Sequence, residues 1–134
     1  MSYLLDTNVI SELARPQPNP NVLTWFAGQR ELALSSICIE ELAYGIGRAK
    51  SADHRRLLTW FEALLSLPAE IVPVDGRIAR ASGELRAARE RAGRAVAQAD
   101  MLIAATALIS GRTLVTRNSR NFEGCGIAIL NPFT

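Results

Sequence analysis

The sequence predicts a single α/β domain, residues 1–134, in which helices cover both faces of a parallel β-sheet. Short apolar segments alternate with helical segments along the whole chain, as in sheets whose strands are joined by helical crossovers. A length of 134 residues suits one domain with its own hydrophobic core. Hydrophobic residues make up 49% and charged residues 21% of the chain, a balance typical of globular proteins.

The first predicted strand ends in a group of polar residues. An apolar run up to Leu5 is followed by Asp6, Thr7 and Asn8, and a short helix is predicted from Val9 until Pro16 stops it. The carboxyl ends of strands carry the working groups of open α/β sheets, so Asp6 is a candidate functional residue. The alternative is that Asp6 or Asn8 only caps the next helix, a common use of both residue types.

The remaining elements follow from apolar periodicity and from helix start and stop signals. Further strands are predicted over 32–35, 71–74, 113–116 and 127–130. Further helices are predicted over 22–28, 37–46, 57–65, 77–92 and 99–109, with Ser35 or Ser36 and then Asp75 as caps. The helix over 77–92 carries an arginine face, for which solvation is favoured over contact with phosphates. The helix over 99–109 is apolar almost all round and is expected to be buried.

Two further acids lie within otherwise apolar elements. Glu41 follows the second strand beside Glu40, and only one of this adjacent pair can face inward, because consecutive helical residues point about 100° apart. Asp100 lies at the start of the most apolar helix. The structural alternatives are an ordinary surface glutamate and an aspartate favoured in a first helical turn. Buried charges are costly unless they are paired or bind a metal ion, so Asp6, Glu41 and Asp100 together suggest a site for Mg²⁺ or Mn²⁺.

Other kinds of active site find little support in the sequence. A Gly-rich phosphate loop, a Gly-x-Ser-x-Gly turn and a Cys/His pair for covalent catalysis are all missing. The two cysteines lack companions at zinc-ligand spacing. A phosphoacceptor role for Asp6 in a signalling domain would need a lysine near the carboxyl end, and Lys50 is the only lysine. A net charge of +2 does not mark a nucleic-acid binder by bulk charge.

Four motifs occur in order: Leu5-Asp6-Thr7-Asn8-Val9-Ile10-Ser11-Glu12, Glu41-Leu42-Ala43-Tyr44-Gly45, Ala99-Asp100-Met101-Leu102-Ile103-Ala104-Ala105-Thr106-Ala107 and Leu114-Val115-Thr116-Arg117-Asn118. This series, with a closing Leu130-Asn131-Pro132-Phe133, resembles the PIN-domain ribonucleases, specifically the VapC toxins of bacterial toxin–antitoxin pairs and the FitB-like proteins. The resemblance implies a three-layer α/β/α domain with a central parallel sheet of four to five short strands.

The resemblance also implies the site. Asp6, Glu41 and Asp100 match the family's acidic positions and would bind Mg²⁺ or Mn²⁺. A fourth acid usually follows the Thr-Arg of the last motif, and here Asn118 holds that catalytic position. Relatives often carry an aspartate just before the phenylalanine, where this chain has Asn121. The sequence therefore departs from the four-acid pattern.

The activity implied by the resemblance is metal-dependent cleavage of RNA by an endoribonuclease toxin. The resemblance implies a homodimer, and a larger assembly with a small DNA-binding VapB- or FitA-like antitoxin. A peptide of the antitoxin would enter the acidic site, often with an arginine. The alternative is a non-catalytic PIN-like module that binds nucleic acid in complex with a DNA-binding antitoxin.

The remaining conspicuous features are expected to be structural. Trp25 and Trp60 are expected in the core, Cys38 as a small buried filler, and His54 on the surface at a helix start. The amino terminus has no basic-then-apolar leader, and no apolar run reaches the ~18 residues of a membrane span. A cytoplasmic protein with reduced thiols and no membrane contact is therefore expected.

Overall fold

The computed structural model describes residues 2–134, and this part of the chain forms five strands and six α-helices. The strands are β1 (Tyr3–Leu5), β2 (Leu32–Ser35), β3 (Glu70–Val72), β4 (Thr113–Val115) and β5 (Ile129–Leu130). The helices are α1 (Thr7–Leu13), α2 (Pro20–Ala27), α3 (Ser36–Arg48), α4 (Ser51–Leu65), α5 (Gly76–Arg91) and α6 (Gln98–Ser110). A short 3₁₀ helix covers Ser119–Phe122. The predicted α/β class is confirmed.

The five strands form one parallel sheet in the order β3-β2-β1-β4-β5. β1 is central, and its Leu5 lies opposite Leu34 of β2 and Val115 of β4. The chain moves outward from β1 to β3 and then crosses to β4 on the other side of β1. The direction of winding therefore reverses at the end of β1, which is where open α/β sheets bind their ligands.

The helices pack on the sheet in two groups. α1 contacts α2 and α3, α3 contacts α4, and α5 packs along α6. α3 also contacts α6, which joins the two groups. Since crossovers between parallel strands are right-handed, the strand order indicates the first group on one face of the sheet and α5 with α6 on the other. Most of α6 is buried, from Met101 and Ile103 through Ala107, as its apolar composition predicts. Within residues 2–134, no helix has the length and apolar character needed to cross a membrane.

Side chains cap several helices where the sequence predicts them. Ser35 caps α3, and Asp75 caps α5 by accepting a 2.9 Å hydrogen bond from the Ile78 N–H. Asp6 caps α1, which begins at Thr7, two residues earlier than predicted. The idea that Asn8 provides the cap is wrong, because Asn8 lies inside the helix.

The strand and helix limits differ from the prediction where local signals mislead. β3 ends at Val72 because the following Pro73 has no N–H to donate to the sheet. The segment after β4, for which no element is predicted, contains the 3₁₀ helix, whose Phe122 is buried. α4 begins at Ser51 instead of near Leu57, since its first turns are polar and show no apolar periodicity.

The conspicuous aromatic and sulfur-bearing residues lie largely where expected. Trp25 and Trp60 are half-buried against the core, and Trp25 meets the Tyr3 ring edge-on with 5.2 Å between centroids. Cys38 is completely buried. His54 is half-buried, and its Nδ1 lies 3.0 Å from the Ile46 carbonyl oxygen. It therefore joins the start of α4 to the end of α3 and is not a free surface residue.

Candidate active site

An open cavity of about 530 Å³ lies at the carboxyl end of β1. Asp6 reaches it directly after β1, Glu41 from α3, and Asp100 from the first turn of α6. The structure therefore brings the three sequence-predicted acids to one place. The other lining residues are Thr7, Asn8, Ser11, Glu12, Arg15 and Arg117.

Asp6 is the buried centre of this cavity, with a relative exposure of 4%. One carboxylate oxygen accepts the Thr7 N–H at 2.7 Å, and the other accepts the Thr116 hydroxyl at 2.7 Å and the Asn8 amide at 3.2 Å. Burial raises the pKa of Asp6 to about 6, although the bonds from Thr116 and Thr7 oppose this shift. The negative charges of Asp100 and Glu41 raise the pKa of Asp6 further, so the carboxylates interact electrostatically.

The other two acids are each held by one donor. The Thr7 hydroxyl donates to Glu41 Oε1 at 2.7 Å, so Thr7 contacts Glu41 through its side chain and Asp6 through its backbone. The Asn121 amide donates to Asp100 Oδ2 at 3.4 Å, and burial raises the pKa of Asp100. Glu40, the neighbour of Glu41, is exposed and lies outside the cavity lining, so only one of the adjacent pair faces inward.

Cys38 lies behind the acids. Its thiol is 3.7 Å from the Leu5 carbonyl oxygen, and burial raises its pKa to about 12. The nucleophilic form of cysteine is the thiolate, which such a pKa suppresses at neutral pH. Cys38 is therefore a packing residue, as expected from the sequence.

The donor set fits a hard divalent cation. Among residues 2–134, no three His, Cys, Asp or Glu side chains stand close enough to enclose a metal ion by themselves. Mg²⁺ keeps several waters and uses only one or two carboxylates, so an open cavity with three spaced acids matches its preference. Carboxylate oxygens in a partly buried, negatively charged cavity are also the ligands that Mg²⁺ and Mn²⁺ favour.

Asn118 and Asn121, the two asparagines near the site, make different contacts. Asn118 is exposed and is not among the cavity residues; its N–H donates to the Thr116 hydroxyl oxygen at 3.0 Å. Asn121 contacts Asp100. Of the two positions at which relatives are expected to carry an acid, 121 therefore adjoins the predicted ligands more directly, and a catalytic role for Asn118 stays a prediction.

Glu12 is a cavity carboxylate that the sequence reasoning missed. It is 5% exposed and accepts the Asn19 N–H at 2.8 Å and the Arg15 guanidinium at 3.2 Å. The hydrogen bond from Asn19 is the main cause of its lowered pKa. The signal in the sequence was an acid among the apolar residues of α1, the same criterion that singled out Glu41 and Asp100.

Comparisons with known proteins agree with this fold. Residues 3–125 match the family described as PIN domain. The VapC ribonuclease Y4jK of Sinorhizobium fredii is 35% identical over 135 residues, covering 97% of this chain and 96% of that protein. The crystal structure of FitAcB from Neisseria gonorrhoeae has a TM-score of 0.87 at 34% identity, and DNA-bound VapBC from Salmonella typhimurium 0.86 at 30%. Both alignments cover 98% of each chain.

Proposed function

This chain belongs to the PIN-domain family, and from that premise we propose that it is a metal-dependent endoribonuclease toxin of a toxin–antitoxin pair. The observation that carries the proposal is the convergence of Asp6, Glu41 and Asp100 in one open cavity where the sheet reverses its winding. Its similarity to a protein named VapC ribonuclease supports RNA as the substrate.

In such a site the three acids would bind the metal ion, and two threonines would orient the acids. Asp6, Glu41 and Asp100, each directly or through a water, would hold Mg²⁺ or Mn²⁺, which would supply an activated water and neutralise charge on a phosphodiester. Thr116 and Thr7 fix the orientation of Asp6 through their 2.7 Å bonds. The Thr7 hydroxyl also orients Glu41, so Thr7 contacts both carboxylates.

We further propose the partners that the resemblance implies. The similar structures are FitAB and VapBC complexes, some bound to DNA, which supports a small DNA-binding antitoxin. Carboxylates in a cavity accept a guanidinium well, so an arginine from that antitoxin would inhibit the site by occupying it. We also propose that the chain forms a homodimer and acts in the cytoplasm.

A non-catalytic role is the second candidate, and one observation favours it. Asn121 touches Asp100 at a place where relatives are expected to carry an acid, so the cavity has less negative charge with which to bind a cation. In that case the chain would bind nucleic acid only in complex with its DNA-binding partner.

Cleavage of RNA by the purified protein separates the two candidates. We expect cleavage with Mg²⁺ or Mn²⁺ and none with EDTA, and a loss of at least about a hundredfold in Glu41→Gln and Asp100→Asn. Glu40→Gln is the matched control for Glu41→Gln, because it removes the adjacent carboxylate that lies outside the cavity. Undiminished cleavage by Asp100→Asn would refute the assignment, and no cleavage by the wild type would favour the binding module.

A further inference from the structure

A second, smaller cavity adjoins the acidic one. A side cavity of about 170 Å³ is bounded by residues 17–20, at the start of α2, and by Phe133. Glu12, Arg15 and Arg117 line both cavities, so they form the shared wall between them. A ligand bound over the three acids would therefore meet Arg117 at the boundary with the side cavity.

Arg117 is held in this wall from three sides. Its N–H donates to Asn8 Oδ1 at 3.2 Å, and its carbonyl oxygen accepts the Asn131 amide at 3.4 Å. Its guanidinium carbon lies 5.0 Å from the centroid of the Phe133 ring. Asn131 also accepts the Phe133 N–H at 2.9 Å, so both partners of this stack are anchored to the same side chain.

The two arginines of the wall differ in charge compensation. Arg15 lies 3.2 Å from Glu12, which neutralises it. Arg117 forms no ion pair with any carboxylate among residues 2–134. A guanidinium stacked on an aromatic ring keeps its N–H edge available, and that edge matches two oxygens of a phosphate.

We infer that the side cavity is a nucleotide subsite for single-stranded RNA, in which Arg117, stacked on Phe133, binds the phosphate next to the one that is cleaved. The inference rests on the proposed ribonuclease function and adds to it the path of the RNA chain. An unpaired strand suits the site, because only unstacked nucleotides can turn into a small lateral cavity. The stack fixes the guanidinium in advance, so little side-chain entropy is lost when the phosphate binds.

Binding without cleavage provides the test. We would titrate a fluorescently labelled single-stranded RNA of randomised sequence with the protein in EDTA and follow anisotropy at several salt concentrations. We expect Arg117→Gln to weaken binding about tenfold and to reduce the slope of log K against log salt by about 0.7, the value for one lost phosphate contact. Phe133→Leu should weaken binding about threefold, because it removes only the stacking.

Arg55→Gln is the matched control. It removes the same charge from an exposed position of α4 that lines neither cavity, and it should leave affinity and salt slope unchanged. Thermal unfolding of each variant separates a lost contact from a damaged fold.

The outcomes separate this inference from the proposed function. Equal affinity and equal slope in Arg117→Gln and Arg55→Gln, in a protein that cleaves RNA, would overturn the subsite and leave the nuclease intact. Equal RNA affinity and equal salt slope in these two variants would also be found if Arg117 bound a carboxylate of a partner protein instead of RNA. Wild-type protein that neither binds nor cleaves RNA would overturn both.

Discussion

Replacing Asp6 by asparagine is expected to stabilise the fold at neutral pH, although it removes a central residue of the proposed site. Asp6 is 4% exposed, and burial raises its pKa from an ordinary value of 3.8 to about 6. Its ionised form is therefore costly in the folded state. Asparagine has nearly the same shape and carries no charge.

The size of the effect follows from the shift in pKa. A difference of about two pH units corresponds to about 3 kcal/mol of destabilisation above pH 6, at about 1.4 kcal/mol per unit. The amide of Asp6→Asn offsets about 2 kcal/mol of this, because in either orientation its NH₂ faces a donor, the Thr7 N–H on one side or Thr116 and Asn8 on the other. The variant should therefore gain about 1 kcal/mol, or about 4 °C in melting temperature.

The difference in stability between Asp6→Asn and the wild type depends on pH in a defined window. Between about pH 4 and pH 6 the folded protein holds a proton on Asp6 that the unfolded chain releases, so wild-type stability falls as pH rises through this range. The advantage of Asp6→Asn over the wild type should thus grow by about 2 kcal/mol from about pH 4 to about pH 7.5.

Urea unfolding in EDTA measures this difference. Glu40→Gln, at an exposed position of α3 outside the cavity, is the control and should change the free energy of unfolding by less than about 0.5 kcal/mol at either pH. Added Mg²⁺ should stabilise the wild type and leave Asp6→Asn unaffected. A difference between Asp6→Asn and wild type that is the same at both pH values would refute the argument from burial.

Two further predictions concern charge and backbone. Asn121→Asp places a carboxylate beside Asp100 and should tighten Mn²⁺ binding, measured by calorimetry, about fivefold. Asn118→Asp, outside the cavity, should change the Mn²⁺ affinity less than twofold. A larger gain in Asn118→Asp than in Asn121→Asp would assign the fourth acidic position to residue 118. Gly124→Ala should lower the free energy of unfolding by about 2 kcal/mol, because Gly124 has φ +80° and a Cβ there would overlap the Arg89 guanidinium. Gly83→Ala, in open space on α5, should instead raise it by about 0.5–1 kcal/mol, and a loss in both variants would contradict this reasoning.

The sequence predicts the parts of this protein that depend on local patterns. β1, β2 and β4 are short apolar runs, and their alternation with helices indicates the parallel sheet. Asp6, Glu41 and Asp100 stand out because each acid interrupts an apolar element, and the sheet then brings these elements together. The cap at Asp75 follows from a strand that ends just before a helical pattern.

The missed features depend on contacts between distant parts of the chain. Glu12 is an exception, because it carries the same signal as Glu41 and Asp100, an acid among apolar residues, and the Asn19 N–H that it accepts lies only seven residues away. The first turns of α4 are polar, and they are tied to other helices by His54 and by the 2.8 Å bond from Arg56 to the Ala14 carbonyl oxygen. The stack of Arg117 on Phe133 likewise forms only when the end of the chain folds back.

The central position of β1 determines when the site is assembled during translation. Asp6 is synthesised before Thr116, whose hydroxyl orients it from 110 residues further along the chain. At about 5–20 residues per second, the ribosome needs on the order of 5–20 s to make the intervening chain. A nascent chain shorter than this has its first carboxylate but lacks β4 beside it. The proposed nuclease activity would therefore require β4 to be synthesised before Asp6 is oriented by Thr116.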